Sequence, residues 1–123
     1  MTALAMEQQS PRWVGVCEAK DIAPDSGVCA LIDGEQVAIL HLGATGEFFG
    51  LSNFDPFSKA FVISRGIVGD RQGTPKVASP MYKQSFDLRT GVCLDDPSVC
   101  LRTYPVRVRV GRLEVLFPGS ANN

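Results

Sequence analysis

Ser79-Pro80-Met81-Tyr82-Lys83-Gln84-Ser85-Phe86-Asp87-Leu88-Arg89-Thr90-Gly91 is the stretch on which the fold turns. Lys76-Val77-Ala78-Ser79 leads into it as a strand and Ser85-Phe86-Asp87-Leu88 leaves it as another, with Arg89-Thr90-Gly91 turning the chain. Two short strands joined in this way hold the segment between them out like a finger. Phe86 is expected in a core. Asp87 and Thr90 are short polar side chains of the kind that bond to the backbone groups of a turn. A second finger lies upstream, where the strand-like run Phe48-Phe49-Gly50-Leu51 delivers Asn53-Phe54-Asp55-Pro56-Phe57.

The rest of the chain repeats the theme of short strands and turns. Arg12-Trp13-Val14-Gly15-Val16-Cys17 is rich in strand formers, with Trp13 as a partly buried anchor at the domain edge. Asp21-Ile22-Ala23-Pro24 is placed in a single helical turn closed by the proline and by Gly27. Val28–Ile32 and Gln36–Leu40 flank Asp33-Gly34, the strongest hairpin signal in the sequence, because a tight type I′ turn needs positive φ at both central residues. Phe61-Val62-Ile63 is expected to pack inward. The glycine-rich run from Ser64 to Pro75 is open between a long surface loop and a docking surface. It holds neither a phosphate-binding G-x-x-x-x-G-K-[ST] loop nor a dinucleotide fingerprint. Leu94-Asp95-Asp96-Pro97 reads as a solvated turn rather than a metal or general-base site. In Tyr104–Val110 the valines 106, 108 and 110 alternate with Arg107 and Arg109, a turn follows at Gly111-Arg112, and Leu113–Phe117 completes a hairpin. No long helix is indicated. The fold expected is all-β, an antiparallel β-sandwich or partly open barrel, as one domain over residues 12–117 with flexible ends at 1–11 and 118–123.

Composition narrows the function. The chain has 123 residues, 45% of them hydrophobic, and a net charge of −1. That balance supplies no field for nucleic acid or an anionic membrane, and the two arginines of Tyr104–Val110 lack the interleaved exposed aromatics of a nucleic-acid face. No run is long enough to span a bilayer, and the start does not read as a signal peptide, so a cytoplasmic location with free thiols is expected. The four cysteines, Cys17, Cys29, Cys93 and Cys100, form no C-x-x-C pair and match neither zinc nor ferredoxin spacing. The one histidine, His41, follows a strand and is expected to be structural.

The two fingers resemble the two ligand boxes of a Rieske domain, Asn-x-Cys-x-His and Cys-Pro-x-His-Gly-x-x-Phe-Asp-x-x-Thr-Gly. Pro80, Phe86, Asp87, Thr90 and Gly91 match the second box, and Asn53 the first. Asp55 and Ser79 stand at the cysteine positions, Phe57 and Tyr82 at the histidine positions, and Lys83 where a glycine follows. A Rieske [2Fe–2S] centre takes two Cys and two His, and the chain has a single His. Asp55-Pro56-Phe57-Ser58, Ser64–Asp70, Ala78–Gln84 and Phe86–Gly91 are similar to one branch, the small subunit of assimilatory NAD(P)H-dependent nitrite reductase, a Rieske-like domain without the cluster.

That resemblance implies a degenerate cluster-binding subdomain on a Rieske-like fold, with no catalytic, cofactor-binding or metal-binding residue on this chain. It implies a large subunit as partner, carrying FAD, siroheme and an iron–sulfur cluster, and a complex that reduces nitrite to ammonia in nitrate assimilation. Asp55, Phe57, Arg65, Asp70, Arg71, Tyr82 and Lys83 are expected to form a docking tip for that partner. An equal alternative is that Phe57 and Tyr82 only fill the space a cluster would take. Two other functions remain open: a cluster-bearing Rieske ferredoxin, against which the single histidine argues, and a free-standing interaction or ligand-binding domain on the same scaffold.

Overall fold

The computed structural model describes residues 10–118, so the expected flexible ends lie largely outside the described residues. The centre of the architecture is the run Val37-Ala38-Ile39-Leu40, in which every side chain is fully buried. A strand with four consecutive buried residues must be covered on both faces. Val37 and Ile39 enter one core with Ile22, Ile32, Tyr104, Leu113, Val115 and Phe117. Ala38 and Leu40 enter a second core with Leu51, Ile63, Val68, Val77, Phe86 and Leu88.

Three antiparallel sheets follow from this. The middle sheet has β2 (Ser26–Ile32), β3 (Glu35–His41), β4 (Phe48–Ser52) and β10 (Thr103–Tyr104), in the order β10-β4-β3-β2. One outer sheet has β1 (Arg12–Glu18), β11 (Val106–Arg109) and β12 (Arg112–Phe117), with β12 between the other two. The other outer sheet, β7 (Ile67–Arg71), β8 (Thr74–Ala78) and β9 (Ser85–Asp87), carries the second finger. A two-stranded ribbon of β5 (Phe54–Asp55) and β6 (Ala60–Phe61) carries the first. The all-β antiparallel expectation holds.

The β2–β3 turn has φ of 49° at Asp33 and 84° at Gly34, as a type I′ turn requires. Glycine-rich Ser64–Pro75 departs from its expected loop. It opens with a 3₁₀ turn at Ile63–Arg65 and then forms the β7–β8 hairpin, whose turn residues Gln72 and Gly73 also have positive φ, 53° and 89°. The Gly73 N–H donates to Asp70 Oδ2 at 3.0 Å, closing that turn.

Other local expectations shift. The helical turn lies at Ala19–Asp21, earlier than predicted. Phe61 is exposed against Phe54, ring centroids 5.1 Å apart, while Ile63 takes the buried place. Val108 and Val110 do not face a core. β11 is an edge strand, Val110 sits in the turn with φ of 50°, and Leu113, Val115 and Phe117 supply the buried face instead. Trp13 lies at the sheet surface under the Arg107 guanidinium, 3.9 Å from its ring centre, and Arg107 Nε donates to Glu114 at 2.7 Å. His41 is structural: Nδ1 donates to the Ile22 carbonyl at 2.9 Å and the ring stacks on Phe48.

Candidate functional site

Both fingers are closed in the same way. In the first, the Lys59 N–H returns to the Asp55 carbonyl at 2.7 Å, and Lys59 has φ of 58°. In the second, the Lys83 N–H returns to the Ser79 carbonyl at 3.0 Å, and Lys83 has φ of 66°. Each loop thus folds back on the residue at its cysteine position, through a lysine held in the left-handed region that glycine favours. The bases of the loops are pinned separately. Buried Asn53 accepts from the Ser64 N–H at 2.7 Å and donates to Gln36 Oε1 at 3.0 Å. Asp87 accepts from the Arg89 N–H at 2.8 Å and Thr90 Oγ1 from the Val92 N–H at 3.2 Å, as expected of turn-forming polar residues. Gly91 has φ of 80°, and a Cβ there would run into the Leu101 carbonyl, so this position admits only glycine without a shift.

The loops meet at Asp55 and Ser79. Ser79 Oγ donates to Asp55 Oδ2 at 2.5 Å, and both residues are buried. The carboxylate also accepts from the Phe57 N–H at 2.9 Å and from Ser58 Oγ at 2.9 Å. Burial alone pushes this carboxyl up, but the bonds from Ser79, Phe57 and Ser58 outweigh it and hold it below the usual aspartate range. Asp95, expected only in a solvated turn, has a second duty. Its Oδ2 accepts the Ser85 N–H at 2.8 Å and Oδ1 accepts from Arg71 at 3.2 Å, and these partners keep its carboxyl low.

Of the seven residues expected at one docking tip, one is buried and the others are spread along the second finger and beside the boxes. Asp55 is fully buried, its carboxylate turned to the donors around it. Asp70 and Arg71 stand at the turn end of the β7–β8 hairpin, whereas Ile67 pairs with Ala78 at the end next to Ser79. Four strand steps separate the two ends, about 13 Å. Phe57 is half-buried, tilted on Phe86 with ring centroids 6.1 Å apart. Arg65, Tyr82 and Lys83 are exposed beside the boxes. Exposed Lys59, Ile67 and Met81 were not singled out by the sequence, although a lysine stands four residues after each cysteine position.

No group of three or more His, Cys, Asp or Glu is placed to hold a metal among the described residues. The four cysteines carry free thiols, and burial raises Cys17 and Cys29 above the ordinary thiol range, away from the reactive thiolate. A cleft of about 310 Å³ near Phe49, Leu88, Arg89 and Pro105 is bordered by Arg89, itself paired with Glu47 at 3.2 Å, and brings no acid–base pair or nucleophile together. No helix among the described residues is long and apolar enough to cross a membrane.

Comparison with known proteins agrees with this geometry. The family model of the Rieske-like [2Fe–2S] domain matches residues 12–116. The small subunit of nitrite reductase (NADH) from Salmonella typhimurium is 42% identical over 104 residues, covering 85% of this chain and 96% of that one. A crystal structure described as an NADH-dependent nitrite reductase small subunit from Mycobacterium tuberculosis superposes with a TM-score of 0.83 at 43% identity, covering 94% of this chain and 100% of the other. A segment of the nitrite reductase [NAD(P)H] large subunit of Klebsiella oxytoca is 36% identical over 103 residues, covering 84% of this chain but only 11% of that protein. The chain belongs to the family of Rieske-like [2Fe–2S] domains and, within it, to the small subunits of NADH-dependent nitrite reductase.

Proposed function

We propose that this chain is a cofactor-free small subunit that binds and supports the large catalytic subunit of a cytoplasmic nitrite reductase reducing nitrite to ammonia. The observation that carries the cofactor-free reading is the Asp55–Ser79 bond at 2.5 Å. A Rieske centre needs two thiolates and two imidazoles. The groups at the two cysteine positions are instead engaged with each other, inside a shell of donors that satisfies the carboxylate. At the histidine positions, the phenyl ring of Phe57 offers no lone pair and lies against the core, and Tyr82 stands in solvent. These residues do not fit the cluster. FAD, siroheme and the iron–sulfur cluster belong, in this reading, to the large subunit.

Partner binding draws support from the Klebsiella oxytoca relative, in which a domain like this one is part of the large-subunit chain itself. A covalently joined domain in one protein and a separate subunit in another serve the same assembly when the contact between them is the function. The test is purification of the tagged chain with and without its large subunit, with iron analysis and absorption spectra of both fractions. The expected result is a colourless, iron-free chain that co-elutes with a coloured large subunit catalysing nitrite-dependent NADH oxidation. A coloured, iron-containing chain overturns the cofactor-free reading. A chain that never co-elutes moves the conclusion to a free-standing interaction domain.

A further inference from the structure

We infer that Lys59 and Lys83 form the charged centre of the docking face, and that they meet an acidic surface on the large subunit. This deepens the subunit reading and rests on it. The two lysines occupy matching places, each returning its N–H to the residue at its loop's cysteine position. The Asp55–Ser79 bond links the two residues to which these N–H groups return.

Both lysines are exposed, and neither takes part in an ion pair among the described residues. The surrounding segments are basic. From Phe54 to Ile67 the charges are Lys59, Arg65 and the buried Asp55, and from Ser79 to Phe86 the one charge is Lys83. This stands out on a chain of net charge −1. Exposed Ile67, Met81 and Tyr82, at 65%, 51% and 62%, add apolar contact area within the same segments. A left-handed turn position is met most easily by glycine, and lysine at both closures adds a charge at a conformational cost. Charge complementarity then names the occupant: a carboxylate-rich patch on the partner, of the kind that steers encounter and fixes register.

The decisive experiment measures affinity of the full-length chain for the purified large subunit at low and moderate salt. Lys59→Gly/Lys83→Gly removes both charges while suiting the turn backbone, and circular dichroism checks that the fold persists. Binding is expected to weaken about tenfold or more at low salt and to lose most of its salt dependence. Lys20→Ala/Arg109→Ala removes the same charge from exposed positions away from the loops and is expected to bind like the parent. Equal binding by the glycine variant, or equal weakening by the control, overturns the inference while leaving the subunit reading intact. Self-association of the isolated chain that is lost in the glycine variant, with binding to the large subunit unchanged, assigns the face to a second copy and also overturns it. Failure of the parent chain to bind overturns both.

Discussion

The two cysteine positions and the two histidine positions of the boxes have met opposite fates. Asp55 and Ser79 point inward, are fully enclosed and bond to each other. Phe57 and Tyr82 share no contact of that kind: one leans on Phe86 and the other is 62% exposed. A buried pair of polar groups is stable only when every donor and acceptor is matched, so the inner pair carries strict chemistry. The outer pair carries almost none. The loops are therefore joined by a polar pair near their bases, with Phe57 leaning on Phe86 beside it and Tyr82 left exposed.

Breaking the inner pair has the largest expected effect. Asp55→Ala leaves Ser79 Oγ, Ser58 Oγ and the Phe57 N–H without their acceptor, and a loss of about 3 kcal/mol is expected in denaturant unfolding. A loss below about 1 kcal/mol would mean that water replaces the carboxylate at no cost. Asp55→Asn sharpens the same point through pH. The folded carboxyl titrates below the ordinary value of 3.8, so its contribution is complete above that pH and is lost as the pH falls toward the folded value. In the parent, stability should decline through that acid range. In the Asn variant, that part of the decline should vanish.

Phe57→Ala comes next. Phe57 is only half-buried, so truncation should cost about 2 kcal/mol, less than for a fully enclosed phenylalanine. Ser79→Ala removes one donor but leaves Asp55 its other two, and about 1.5 kcal/mol is expected. Tyr82→Ala should change stability by less than about 0.5 kcal/mol. If Tyr82→Ala proved as costly as Phe57→Ala, the contrast between the two histidine positions would collapse. Thermal melts of the series, read against one another, provide the check.

Much of the scaffold is legible in the chain because its signals are local. Asp33-Gly34 announces a tight turn by composition, and Phe86, Asp87, Thr90 and Gly91 each do what their chemistry suggests within a few residues. Gln72-Gly73 makes a similar turn, but glutamine is not a residue that advertises positive φ, and the hairpin reads as a loop. Val110 hides the last turn more thoroughly, since a β-branched residue is among the least expected at φ of 50°. The even spacing of Val106, Val108 and Val110 suggests a buried face, yet only Val106 packs against a core, Val108 lies half exposed toward the strand end, and Val110 falls in the turn. The burial of Asp55 is equally hidden in the sequence. Its partner Ser79 is 24 residues away, and nothing local distinguishes a surface aspartate from one whose donors arrive from another loop.

The Asp55–Ser79 contact has a consequence for how such a subunit is made. It is built wholly from atoms encoded in the chain, so it forms as the loops close, without waiting for a delivered part. Nor can it be bleached by oxygen or undone by a swing in cellular redox potential. A scaffold closed in this way is finished when its folding is finished.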